Sequence, residues 1–335
     1  MKTLMIGLGR MGERHLQNVL LCELTISALF DVSQDRLENL VEAYNLDEGI
    51  AIITDKQQLL SLDEIELVII ATNADLHLDY VELVCQIRSV KKILCEKPMA
   101  ASLADCQKMI TLCEQNDIDL SINHQMRFME QYTKIKELAA SKELGGLVSA
   151  TVTAGNFGFA MNGTHYFEAF KFLGDAAIKQ VTALLDDDDV PNPRGENYKD
   201  VGGAVTLKNA ENMSFHLNSM THQGHGIVAT YFCRNGFIVV NELSGKISYE
   251  YREDEFRELP TTRYGCPSIQ KEFSVAPADA LEPSRAVLRA LLEGNDYPTG
   301  EDGLHAMAVL IAAHISSKSG HTTMLSEAPA DHKLP

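Results

Sequence analysis

Met5-Ile6-Gly7-Leu8-Gly9-Arg10-Met11-Gly12 stands at the head of the chain, and its reading decides the fold. Residues 1–6 form a short apolar run of strand character. Beyond the glycines, Glu13 to Cys22 carries Leu16, Val19 and Leu20 at helical spacing,. A second strand-like run, Leu24 to Phe30, then ends in Asp31. Strand, glycine turn, helix, strand and acid in that order mark a dinucleotide-binding unit. Glycines let the backbone approach a pyrophosphate, which rests on the N-terminus of the next helix. Gly7, Gly9, Arg10, Met11 and Gly12 are therefore assigned to the cofactor loop. Asp31 would accept hydrogen bonds from the adenosine ribose and repel a 2′-phosphate, which favours NAD over NADP. Arg36 weakens that preference if it reaches such a phosphate. On the helix expected over Ser33–Tyr44, with Ser33 as N-cap, it is equally a solvated residue.

The alternation continues outward. Ile50–Ile53, Glu66–Ala71, Lys92–Cys95 and Ile118–Ile122 read as strands. Between them, helices are expected over Lys56–Leu60, from His77 to about Arg88, and over Ser102–Asn116. Regular alternation predicts a parallel, doubly wound sheet. Thr72 and Asn73 close one strand, where a hydroxyl and an amide reach phosphate or ribose. His77 is either a further cofactor contact or a packing residue at a helix start. Lys92–Cys95 runs into Glu96-Lys97-Pro98, so an acid and an amine stand at the carboxyl end of a strand, where such sheets bind ligands,. Pro98 stops the strand and restricts Lys97.

After Asn123 the pattern changes, which sets the expected boundary between a domain of residues 1–123 and one of 124–335. A helix through about Ala140 is followed by strand-like runs at Leu147–Asn156, Ile178–Leu184, Gly202–Leu207, Met213–Met220, Ile227–Cys233, Phe237–Leu243 and Lys246–Tyr251. Turns such as Asn235-Gly236 and Ser244-Gly245 between period-2 stretches predict hairpins in a mostly antiparallel sheet. Asp186–Asp189 is expected as a solvated loop. Helices over Pro283–Leu292 and Asp302–Ser317 close an α+β domain.

At 335 residues, the chain is long enough for two cores,. A formal charge of −18 leaves no basic footprint for nucleic acid or an anionic membrane surface,. No signal-peptide layout is visible, and no apolar stretch approaches the ~18–20 residues of a spanning helix. The seven cysteines are odd in number and lack a CxxC pair, so reduced thiols in a cytoplasmic protein without a metal site are expected,.

With these segments in place, the chain resembles the glucose–fructose oxidoreductase and inositol dehydrogenase (Gfo/Idh/MocA) family. The resemblance rests on the glycine loop with His15, Asp31, Ala71-Thr72 with His77, and Cys95-Glu96-Lys97-Pro98. It continues through His124-Gln125-Met126-Arg127-Phe128 and Gly163-Thr164-His165 leading into Phe172-Leu173-Gly174. Glu96-Lys97-Pro98 is its most specific element. It implies a Rossmann domain followed by a domain with a large open sheet, often used for a homodimer or homotetramer. It also implies NAD(P)-dependent hydride transfer on a sugar, cyclitol or sugar-nucleotide hydroxyl.

Carried over by position, Glu96 would touch the nicotinamide ribose, Lys97 would stand beside the reacting carbon, and His165 would be a second acid/base group. His124, Arg127, Asn162, Tyr166 and Glu168 are the substrate-side candidates. Arg194, Lys199, Arg234 and Arg263 are candidates for a substrate phosphate, with ordinary surface positions as the simpler reading. One departure changes the weighting. Many members place an aspartate four residues before the histidine, and this chain has Met161. A thioether cannot charge-pair an imidazolium, so acid/base work shifts toward Lys97. Two alternatives keep the fold: reduction of an imine or conjugated bond, or a catalytically silent dinucleotide-binding regulatory or scaffold protein.

Overall fold

A computed structural model describes residues 1–155, 157–190, 200–261 and 265–333. The chain divides into two compact units. The first opens with β1 (Lys2–Ile6), α1 (Arg10–Leu21), β2 (Thr25–Phe30), α2 (Gln34–Ala43), β3 (Ala51–Ile53), β4 (Leu67–Ile70), α3 (His77–Val84), β5 (Lys92–Cys95), α4 (Leu103–Gln115) and β6 (Asp119–Ile122). The strands form one sheet in the order β3-β2-β1-β4-β5-β6, each pair parallel. Leu4, Met5, Ile6, Val68, Ile69, Ile70, Ile93 and Leu94 have no exposed surface. That continuous apolar character is what a sheet covered on both faces demands. Ser33 caps α2 and Ser102 caps α4, each hydroxyl accepting a backbone N–H,.

The second unit begins near Met126. It holds α5 (Glu130–Ala139), β7 (Leu147–Thr153), α6 (Thr164–Gly174), β8 (Ile178–Asp189), β9 (Val201–Asn209), β10 (Ser214–Asn218), β11 (Val228–Cys233), β12 (Gly236–Asn241), β13 (Lys246–Arg252) and β14 (Ser268–Ser274). The chain then makes α7 (Leu281–Glu293), α8 (Gly300–Ser319) and the two-residue β15 (Thr323–Met324). Among the described residues the second sheet has nine strands, ordered β14-β13-β12-β11-β7-β10-β9-β8-β15. Its pairs are antiparallel except β7 with β10. One face, with Ala150, Val152, Val205, Leu207, Phe215, Leu217, Tyr231 and Val240, is buried. Thr151, Thr206, Thr230 and Phe232 on the other face are half-buried or exposed.

The structure departs from the sequence reading in the strand β14, which was not expected, in domain continuity and in the acidic run. The segment 124–335 is not one continuous domain, because Ala280–Met307 returns to the first unit. α7 packs on α1 and β5, and Asn18 Nδ2 donates to the Leu281 carbonyl at 3.1 Å. Pro298 accepts from both Ser121 Oγ and the Ile122 N–H, fastening the chain along β6. The acidic run Asp186–Asp189 is not a loop but the end of β8. There, β9 supplies backbone partners, and the Asp186 carboxylate accepts both the N–H and the hydroxyl of Thr221 at 2.8 Å. Asn156, Arg194, Lys199 and Arg263 lie outside the described residues. Arg234 is exposed in the β11–β12 turn.

No helix among the described residues is long and apolar enough to cross a membrane. Leu291 on α7 is fully buried. Leu291→Ala is expected to cost about 3 kcal/mol through lost transfer energy and a residual cavity. Urea denaturation should show a lowered midpoint, and an unchanged midpoint would mean that α7 contributes little to the first unit.

Candidate active site

The order of the first sheet reverses direction beside β1, between β1 and β4, and such a switch point opens a crevice at the strands' carboxyl ends,. The turn after β1 and the turn after β4 meet there. Gly7 has φ +83°, and a Cβ on it would stand 2.7 Å from Thr72 Cγ2 and 2.8 Å from the Ala71 carbonyl. A Cβ on Gly12 would lie 1.9 Å from the Gly7 carbonyl oxygen, so the glycine lets α1 close on the end of β1. Gly9 differs, since a Cβ there would meet nothing within 4 Å. Gly9 is also the N-cap of α1 and provides no side-chain cap. The result is a helix N-terminus with open space over it, flanked by exposed Arg10 and half-buried Met11.

Asp31 follows β2 and is nearly buried. Its Oδ2 accepts the Leu8 N–H at 2.8 Å and its Oδ1 accepts the Ser33 N–H at 3.0 Å. Arg36 Nη1 reaches both oxygens, at 3.0 and 3.1 Å. Thr72 and Asn73 are half-buried after β4. Beneath them His77 has no exposed surface, with Nδ1 3.1 Å from the Met99 carbonyl and Nε2 3.2 Å from that of Thr72. Both ring nitrogens thus brace the turn, in keeping with the packing alternative for this residue.

Glu96 leaves β5 into a buried polar network that the sequence reading did not assemble. Its Oε1 accepts from His15 Nε2 at 2.8 Å and from Asn123 Nδ2 at 2.8 Å. The Asn123 amide also reaches Ser284 Oγ on α7, at 3.1 Å. Glu96 Oε2 faces the Lys97 N–H at 3.3 Å. Burial alone would push the Glu96 carboxyl up. The hydrogen bond and charge of His15, the Lys97 charge and the Asn123 hydrogen bond overcome it and hold the group down at about 2,. Lys97 is half-buried, and its peptide bond to Pro98 is cis. His124 follows Asn123 and is buried. His15 lies one helical turn after Gly12, and Asn123 directly follows β6; their shared role on Glu96 carries no local sequence signal.

In the second unit, His165 and Tyr166 lie in the first turn of α6, and both are buried. Glu168 has no exposed surface, and its Oε1 accepts Arg127 Nε at 2.7 Å and Arg127 Nη2. Tyr166 donates its hydroxyl to Glu242 Oε2 at 2.9 Å, and Tyr132 on α5 donates to Oε1 at 2.6 Å. Burial pushes the Glu242 carboxyl up against the pull of those phenols, and burial also raises both tyrosines. The Arg127–Glu168 and Tyr166–Glu242 pairs fix α6. Asn162, in the wide turn before α6, is half-buried.

Comparison with known proteins places this geometry in context. Residues 1–124 match the profile of the Gfo/Idh/MocA oxidoreductase family, NAD-binding Rossmann fold. Myo-inositol 2-dehydrogenase of Thermotoga maritima is 27% identical over 43% of this chain, a match spanning 42% of that relative. D-apiose dehydrogenase of Paraburkholderia graminis is 26% identical over 91% of this chain and 85% of the relative. An oxidoreductase from Agrobacterium radiobacter, solved with NAD+, L-tartaric acid and magnesium, superposes with a TM-score of 0.78 at 19% identity. That match covers 97% of this chain and 98% of the other, and it shows a shared fold.

Because the folded state holds Glu96 below its ordinary value of 4.5, the carboxylate stabilises the protein above that pH, and the contribution is lost as pH falls toward 2,. Glu96→Gln should therefore reduce stability at neutral pH by on the order of 3 kcal/mol. The gap to the wild type should close as the pH is lowered, as read by denaturant titrations across that range. A gap independent of pH would show that Glu96 is not held ionised.

Proposed function

We propose that this chain, whose residues 1–124 match the Gfo/Idh/MocA oxidoreductase family, transfers hydride between NAD and a carbinol or carbonyl carbon of a sugar, cyclitol or sugar nucleotide. The observation that carries the reading is Glu96-Lys97 at the end of β5, with Glu96 held ionised. The residues present suit a dinucleotide. The space above Gly9 and the uncapped start of α1 suit a pyrophosphate, since helix N-termini offer unpaired N–H groups and a positive dipole end,. Thr72 and Asn73 line the adjoining turn. When bound, the nicotinamide supplies the hydride acceptor or donor.

The protein's task is then orientation and one proton. Glu96 Oε1 is already occupied by His15 and Asn123, so Oε2 is the oxygen offered to a ribose hydroxyl. Lys97 takes the carbinol proton during oxidation and returns it during reduction. His165 is the second acid/base group. Arg127, Tyr166 and Glu168 set α6, and together with Asn162 and His124 they are the substrate-side candidates. The half-buried face of the nine-stranded sheet, with Thr151, Thr230 and Phe232, is suited to a second copy of the chain,.

Asp31 favours NAD, and Arg36 offsets the repulsion that a bare carboxylate would exert on a 2′-phosphate. NAD(H) is expected to bind at least tenfold more tightly than NADP(H), and Arg36→Ala should widen that ratio. Calorimetry showing a narrower ratio in the variant would reverse the assignment of Arg36. A panel of sugars, cyclitols and sugar nucleotides, followed by NADH absorbance, identifies the substrate. With that substrate, Lys97→Met should lower kcat by about 10²–10⁴, the range of general acid–base catalysis, and leave NAD affinity within twofold. Turnover at the wild-type rate would remove Lys97 from the mechanism.

A further inference from the structure

The helical run that carries His165 does not begin at α6. A wide turn, Phe159–Gly163, leads straight into it, with the N–H groups of Asn162 and Gly163 both pointing to the Gly158 carbonyl, at 2.9 and 3.3 Å. A helix start leaves its first N–H groups without carbonyl partners, and a side chain at the cap position ordinarily takes them. Here the cap position is Gly158, which has no side chain to offer.

The partner comes from far along the sequence. Asp200, immediately before β9 and 3% exposed, accepts the Ala160 N–H on Oδ1 at 2.9 Å and the Met161 N–H on Oδ2 at 2.8 Å. Backbone on both sides steadies it, since the Val201 N–H donates to Oδ1 at 3.0 Å and the Val190 N–H, just past β8, donates to the Asp200 carbonyl at 2.7 Å. The cap position is glycine for a visible reason, because a Cβ on Gly158 would lie 1.9 Å from Asp200 Oδ2. A carboxylate there also faces the positive end of the helix dipole.

We propose that Asp200 is a positioning residue that caps the run Phe159–Gly174 in trans and so fixes the place of His165. Tyr166 and Glu168 hold α6 on the far side of His165 through Glu242 and Arg127. Asp200 holds the turn on the near side. With both ends fixed, His165 cannot fray with the first turn. This inference rests on the reading of His165 as an acid/base group only for its consequence in turnover. The positioning itself is separately measurable.

The test uses the full chain labelled with 13C-histidine, with the His165 signal assigned from its loss in His165→Gln. In Asp200→Asn, which keeps one acceptor oxygen and removes the charge, the His165 13Cε1 signal should shift or broaden. kcat should fall about tenfold while KM for NAD stays within twofold. Asp200→Ala should show the larger effect, and where it fails to fold, Asp200→Asn decides alone. An unmoved His165 signal in folded Asp200→Asn overturns the proposal, whatever the kcat. A displaced signal with undiminished turnover upholds the positioning and instead removes His165 from the reaction.

Discussion

The Glu96 carboxylate is the constraint on which the first unit depends. An ionised carboxylate in a protein interior costs several kcal/mol unless its lone pairs are taken by donors. Here His15 from α1, Asn123 from the end of β6 and the Lys97 N–H supply them, and Asn123 is itself bonded to Ser284 of α7. One charge thus registers a helix, two strand ends and a helix from the last sixth of the chain. The same charge turns its second oxygen to the Lys97 N–H. Structural cost and site geometry are the same feature seen from two directions.

The second unit meets a similar problem at Glu168, Glu242 and Asp200, which are buried carboxylates as well. Glu168 takes Arg127, Glu242 takes two phenols, and Asp200 takes backbone N–H groups. Their protonation behaviour differs because their donors differ. Neutral phenols do not overcome the burial of Glu242, which is pushed up. A charged or strongly donating set holds Glu96 down despite full burial. Each of these carboxylates bears on the helical run that carries His165, directly or through Tyr166.

Much of the first sheet was legible because its signals are local. The run Lys92–Cys95 is apolar after its first residue and ends in a proline-stopped turn, and the strand has those bounds. Ser33 and Ser102 announced their helices by capping chemistry. What the sequence hid was long-range. His15 and Glu96 are 81 residues apart, and Asn123 and Ser284 are 161 apart. No periodicity links such positions, so the return of α7 to the first unit was not legible. The acidic end of β8 misled for a related reason. Adjacent carboxylates favour a solvated loop only while their partners are unknown, and Thr221 and β9 are supplied from elsewhere in the chain.

Met161 shows how a substitution and its compensation are distributed. As a side chain, a thioether contributes neither charge nor a strong acceptor to a neighbouring imidazole. As backbone, the same residue donates its N–H to Asp200. The negative charge therefore enters this segment through the main chain, at the start of the helical run rather than from its flank. A charge so placed stabilises the helix and its first-turn residues together, but it steers an imidazole less directly than a carboxylate hydrogen-bonded to the ring. Lys97, whose charge already acts on Glu96, has its electrostatic partner one residue away. Lys97 and Glu96 are thus coupled through charge, whereas His165 lies on a segment held by hydrogen bonds to its backbone and neighbours.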